Sequence, residues 1–221
     1  MTHFDRYIRF LFVSVVVCCS SLVQADTIDD FIFAVKFNDV KTVQALLKNG
    51  MDVNASEPTR GETAIMIALR EQSMQVFDTL LQDLNLQLEV RANNGDTALM
   101  LSSYLGNLPA VNQLIAAGAK INQTGWTALH YAASVGNTKI MLVLLDKLAN
   151  VDAKSPNKTT PLMMAVRSGD TSAVQLLLDK GADSSLINQQ GLTALDFAVQ
   201  LEKREIAALL LSRLNQSKPP H

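Results

Sequence analysis

A threonine-led motif that returns at nearly constant spacing limits this chain more than any other feature. It reads Thr63-Ala64-Ile65-Met66, Thr97-Ala98-Leu99-Met100, Thr127-Ala128-Leu129-His130, Thr160-Pro161-Leu162-Met163 and Thr193-Ala194-Leu195-Asp196, with successive threonines 34, 30, 33 and 33 residues apart. A second marker keeps the same rhythm: Leu46-Leu47, Leu80-Leu81, Leu114-Ile115, Leu144-Leu145, Leu177-Leu178 and Leu210-Leu211. A fixed period of this length points to a stacked array, in which each unit buries its apolar face only against its neighbours.

The stretch from Gly125 to Asp152 shows the unit most clearly. Thr127 is placed to cap a first helix through Ala128, Leu129, Tyr131, Ala132 and Ala133, its hydroxyl accepting from an orphan N–H of the first turn. Gly136 and Asn137 break that helix, since both tolerate positive φ. A second helix is predicted over Lys139 to Lys147, with Ile140, Leu144 and Leu145 at helical spacing. Neither helix is long enough to stand alone.

The period, the TPLH-like helix start and the turns after the apolar pairs (Asn49-Gly50, Ala117-Gly118, Lys180-Gly181) together resemble the ankyrin repeat. The resemblance implies an all-α ankyrin-repeat solenoid of about six helix-turn-helix repeats with short hairpin-like connecting loops. Only Pro161 keeps the proline of the motif and only His130 its histidine; the resemblance makes that histidine structural. Leu148 stands where a turn glycine belongs, which predicts a strained or remodelled turn. The connection from Asn122 to Gly125 is about three residues shorter than its counterparts, which predicts a retracted hairpin tip and a notch.

Residues 1–25 do not follow the period. Arg6 and Arg9 precede the apolar run Phe10 to Cys19, and Val23-Gln24-Ala25 supplies small residues before Asp26. This order is that of a secretory signal peptide, and the run is too short to span a bilayer. The reading is therefore a signal peptide over 1–25, an ankyrin domain over 26–214 and a flexible polar tail over 215–221. Within the domain, Asp26 to Asn38 is predicted as an apolar terminal helix carrying Phe31, Phe33, Val35 and Phe37, with Thr27 or Asp29 as its cap. Cleavage removes both cysteines, leaving no disulfide and no thiol chemistry.

The formal charge of −2 is spread without a basic block, which excludes nucleic-acid binding and attraction to an anionic membrane surface. No cysteine, second histidine or paired carboxylate stands at helical spacing from His130, and every glycine stands alone at a turn. The expectation is no enzyme activity, no metal, no cofactor and no small-molecule substrate.

What remains is a binding surface for another protein. The resemblance places partner contacts beside the glycine before each threonine and at the end of each first helix. Carried onto this chain, these are Arg70 and Glu71, then Asn93, Asn94, Asp96, Tyr104 and Leu105, then Gln123, Thr124, Trp126 and Val135, and finally Lys158 and Arg167. Tyr104, Leu105, Trp126 and Val135 form an apolar centre on adjacent repeats, the arrangement of a binding hot spot. Trp126 has a second reading, in which its ring covers the neighbouring hairpin. The chain further resembles small periplasmic ankyrin proteins of Gram-negative bacteria. That implies a monomer that protects, assists or inhibits a partner in the periplasm, as toxin immunity proteins do. A secreted effector and an envelope scaffold are the alternatives.

Overall fold

Each threonine of the pattern immediately precedes a helix. The computed structural model describes residues 27–216, in which twelve helices occur. Two compact units divide the chain, one ending at Gln87 and the other beginning at Leu88.

The first unit holds α1 (27–36), α2 (Val40–Lys48), α3 (Ala64–Arg70) and α4 (Met74–Leu81). Its core is built from Phe31, Val35, Val43, Ile65, Leu69, Val76, Phe77 and Leu80, all at 1% exposure or less. Inter-repeat bonds fix the register: Ser73 Oγ donates to Lys36 O at 3.1 Å, and Asn38 Oδ1 accepts from Val76 N at 3.0 Å. Thr27 and Asp29 lie within α1, so neither is its cap. Phe33 and Phe37 are exposed and pack on each other, centroids 4.4 Å apart.

The second unit holds α5 (Ala98–Tyr104), α6 (Leu108–Ala116), α7 (Ala128–Ser134), α8 (Thr138–Asp146), α9 (Pro161–Ser168), α10 (Thr171–Asp179), α11 (Ala194–Gln200) and α12 (Arg204–Gln216). The first helices pack in the order α5, α7, α9, α11, and the second helices in the order α6, α8, α10, α12. The resulting two layers enclose the core. Leu114, Leu144, Leu177 and Leu210 each sit at 0% exposure, so the first member of each apolar pair faces the core. In the first unit Leu80 does the same, whereas Leu46 and Leu47 are both only half-buried. The last helix runs two residues past the expected end at Leu214.

Three loops of the second unit close as the same tight turn: Ala92 N donates to Asp96 O and Gly95 N to Ala92 O, with equivalents at 155–159 and 188–192, while the 57–62 loop of the first unit closes one residue longer. The fourth residue of this turn has positive φ, which glycine supplies at 95 and 191 and Lys158 supplies at φ 59°. The short connection predicted at Asn122 to Gly125 has no such backbone pair. Asn122 instead pins its loop to the next repeat, donating to Leu148 O and accepting from Asn150 N, both at 2.8 Å. Leu148 keeps the ordinary turn at φ 64° with its side chain 83% exposed. The turn is strained and keeps its shape.

The signal peptide predicted over 1–25 and most of the tail predicted over 215–221 lie outside the described residues. None of the described helices is long and apolar enough to cross a membrane, and no group of described His, Cys, Asp or Glu residues could hold a metal ion.

Candidate functional site

The second unit carries a groove of about 410 Å³ lined by Tyr104, Trp126, His130, Tyr131, Ser134, Met164, Arg167 and Ser168. Three repeats contribute to it, because α5, α7 and α9 lie side by side. Their C-terminal ends supply Tyr104, Ser134, Arg167 and Ser168, and the short Asn122–Gly125 connection delivers Trp126 directly onto α7.

The Tyr104–Tyr131 and Trp126–His130 pairs pack edge to face, and the Trp126–Tyr131 pair is tilted at 56°. Trp126 stands 5.2 Å from His130 and 6.4 Å from Tyr131, and Tyr131 stands 6.2 Å from Tyr104 at 85°. Such pairs hold the rings rigid at separations typical of favourable T-shaped contact. Trp126 is half-buried: its ring packs against His130 and it also lines the groove. Tyr104 is 51% exposed.

His130 is fully buried behind Trp126. The Thr127 amide donates to His130 Nδ1 at 3.2 Å, so Nδ1 is unprotonated and Nε2–H donates to Thr159 O at 2.9 Å. The Thr127 hydroxyl lies 2.9 Å from Nδ1, and Thr127 and His130 together form a capping box at the start of α7. Burial pushes the pKa of His130 down to about 4, against the opposing pull of the Thr159 carbonyl. The neutral ring is therefore a structural strut between repeats.

The sequence places Tyr131 in the first helix of its repeat and gives it no further role. In the structure its ring lines the groove and its hydroxyl donates to Asp96 Oδ1 in the preceding repeat. Burial raises its pKa, and the bond to Asp96 and the charge of Asp96 raise it further. Met164, also unassigned, supplies an apolar wall from α9. Neither stands out locally, because each becomes part of the groove only when neighbouring repeats stack.

The remaining sequence-assigned residues separate into groups. Leu105, Val135, Arg167, Lys158, Asn93, Asn94 and Thr124 are exposed. Asn94 is tied to Asp96, whose amide donates to Asn94 Oδ1 at 3.1 Å. Gln123 is half-buried in a polar cluster with Arg91 and Glu89. In the first unit Glu71 is exposed, and Arg70 is bound to Glu62, its Nε lying 3.1 Å from both carboxylate oxygens. Glu62 is itself only 6% exposed, so the pair is an internal brace of that unit.

The family model for Ankyrin repeats, a three-copy model, matches residues 31–124, 82–155 and 148–219. The chain belongs to the ankyrin-repeat family. It is 33% identical over 163 residues to the ankyrin repeat and KH domain-containing protein mask-1 of Caenorhabditis elegans, covering 72% of this chain and 6% of that protein. It is 31% identical over 179 residues to human SH3 and multiple ankyrin repeat domains protein 2, covering 79% of this chain and 10% of that protein. The chain thus spans only a small part of these curated relatives. Among solved structures, an ankyrin repeat domain from Acinetobacter baumannii AYE superposes with a TM-score of 0.71 at 26% identity, covering 83% of this chain and 96% of that one. A chain from the complex of a predatory endopeptidase of Bdellovibrio bacteriovorus with an immunity protein superposes with the same TM-score at 28% identity, covering 83% of this chain and 97% of that one. The fold is that of an interaction module, as sequence and structural relatives agree.

Proposed function

We propose that this chain is an exported, non-catalytic binding protein that docks a partner protein in the aromatic groove of its second unit and thereby inhibits or protects it. The observation that carries the reading is the groove itself: the rings of Tyr104, Tyr131 and Trp126 packed in succession, with apolar and polar groups around them. Buried aromatic anchors ringed by polar groups dominate protein–protein affinity. The basic start and short apolar run of residues 1–25 support export to the periplasm. The similarity to a chain from a peptidase–immunity protein complex supports an inhibitory or immunity role. The test has two parts. N-terminal sequencing of protein from the periplasmic fraction is expected to begin at Asp26. Immobilised wild-type chain is expected to retain an envelope protein that Trp126→Ala releases; equal retention by both would refute the groove as docking face.

A further inference from the structure

The groove's polar groups differ in what they have left to offer a partner. The Tyr131 hydroxyl is spent on Asp96, and both His130 nitrogens are engaged within the repeat stack. Ser168 Oγ donates to Ala165 O and accepts from Asp170 N, while Ser134 Oγ donates to Tyr131 O. Among the described residues, the Trp126 indole N–H, the Tyr104 hydroxyl and the Arg167 guanidinium take part in no hydrogen bond or ion pair. Indole and guanidinium only donate, and Arg167 alone among the lining residues carries a charge. The carboxylate bonded to a groove residue, Asp96, is already occupied by Tyr131 and Asn94.

We infer that the groove recognises an acidic side chain of the partner, an aspartate or glutamate flanked by apolar residues, with Arg167 as its specificity-determining contact. The assignment rests on the groove being the docking face proposed above. The flanking apolar groups meet the rings of Tyr104, Trp126 and Tyr131 and the side chain of Met164, and the carboxylate meets donors that lack a partner in the free protein. A guanidinium receives a carboxylate through two parallel N–H···O bonds, whereas an amide of the same shape satisfies it poorly.

Trp126 is the chain's single tryptophan, so its indole N–H gives one resonance that reports on the groove. The ¹⁵N-labelled chain is titrated with acetyl-Leu-Glu-Phe-amide, acetyl-Leu-Gln-Phe-amide and acetyl-Leu-Lys-Phe-amide, whose caps leave the central side chain as the only variable. The Glu peptide is expected to shift the indole resonance with a Kd roughly fivefold lower than the Gln peptide, the scale for one exposed ion pair. Arg167→Gln is expected to abolish that preference, bringing the Glu peptide's Kd to that of the Gln peptide. Equal binding of the Glu and Gln peptides, tighter binding of the Lys peptide, an unaltered preference in Arg167→Gln, or no shift with any peptide would overturn the assignment. If the peptides fail while Trp126→Ala still loses the partner protein, the docking face stands and the acidic recognition falls. If Trp126→Ala keeps the partner, the docking face itself falls.

Discussion

His130 Nε2 lies 2.9 Å from the carbonyl oxygen of Thr159, the residue that precedes the next repeat's helix cap. The bond joins two repeats through a ring that is fully buried and neutral. Above pH 6.5 both folded and unfolded chains hold this histidine neutral. As pH falls, the unfolded chain protonates near 6.5, while burial delays the folded chain to about 4. Stability is therefore lost from pH 6.5 downward and levels off below about 4. From the pKa difference, urea unfolding at pH 4.5 is expected to show about 2–3 kcal/mol less stability than at pH 8. His130→Gln is expected to be nearly flat over that window. Carboxylates such as Asp196, held below its usual range by the Thr193 hydroxyl and amide, act at lower pH. A wild-type profile flat between pH 8 and 4.5 would contradict the neutral strut.

Leu144 sits at 0% exposure in α8, in the middle of the second unit. Leu144→Ala is expected to cost about 2–5 kcal/mol, the range for truncating a buried leucine. Because repeats couple only to their neighbours, the denaturation curve is expected to broaden or divide into steps. A curve superimposable on wild type would contradict the packing described.

Leu148 holds a left-handed backbone conformation at φ 64°, where the equivalent turns use Gly50, Gly118 and Gly181. Its side chain is 83% exposed and gains little from packing. A side chain costs roughly 1–2 kcal/mol in that region, while glycine adds unfolded-state entropy of about 0.4–1 kcal/mol. Leu148→Gly is thus expected to stabilise by about 0.5–1 kcal/mol, read as a raised urea midpoint at unchanged slope.

The helix-start threonines are not equivalent. Thr63 Oγ1 is buried with no hydrogen-bond partner, whereas Thr193 Oγ1 donates to Asp196 Oδ2 at 2.6 Å and accepts from Asp196 N at 3.2 Å. Thr63→Val removes an unsatisfied hydroxyl and is expected to be neutral or to stabilise by up to about 1 kcal/mol. Thr193→Val removes a working cap and is expected to cost about 1 kcal/mol. The denaturant midpoint is expected to fall for Thr193→Val and to hold or rise for Thr63→Val.

The repeat and its helices were legible because their signals are local. Threonine caps, apolar pairs and turn glycines lie within one unit, and the predicted helix over Lys139 to Lys147 differs from α8 by one residue at each end. Of the groove's lining, Tyr104, Trp126 and Arg167 could be placed on one face from the sequence, whereas Tyr131 and Met164 could not. Tyr131 meets Asp96 across 35 residues, and Asn122 pins Leu148 across 26. Bonds separated by about one repeat depend on how neighbours dock, and no helical or strand period records them. The Arg70–Glu62 brace was missed for a related reason: it joins a loop to a helix end eight residues away, off any helical spacing. Arg70→Ala is consequently a poor probe of binding, since it leaves buried Glu62 unpaired.

Calorimetry of the captured partner against wild-type, Trp126→Ala, Tyr104→Ala and Glu71→Ala chains tests the docking groove most directly, with thermal melts confirming that each variant is folded. The account predicts that either aromatic change weakens binding by about 30-fold, equivalent to about 2 kcal/mol for a central anchor, while the exposed Glu71 changes it much less. Folded Tyr104→Ala and Trp126→Ala chains that bind as tightly as wild type would contradict it.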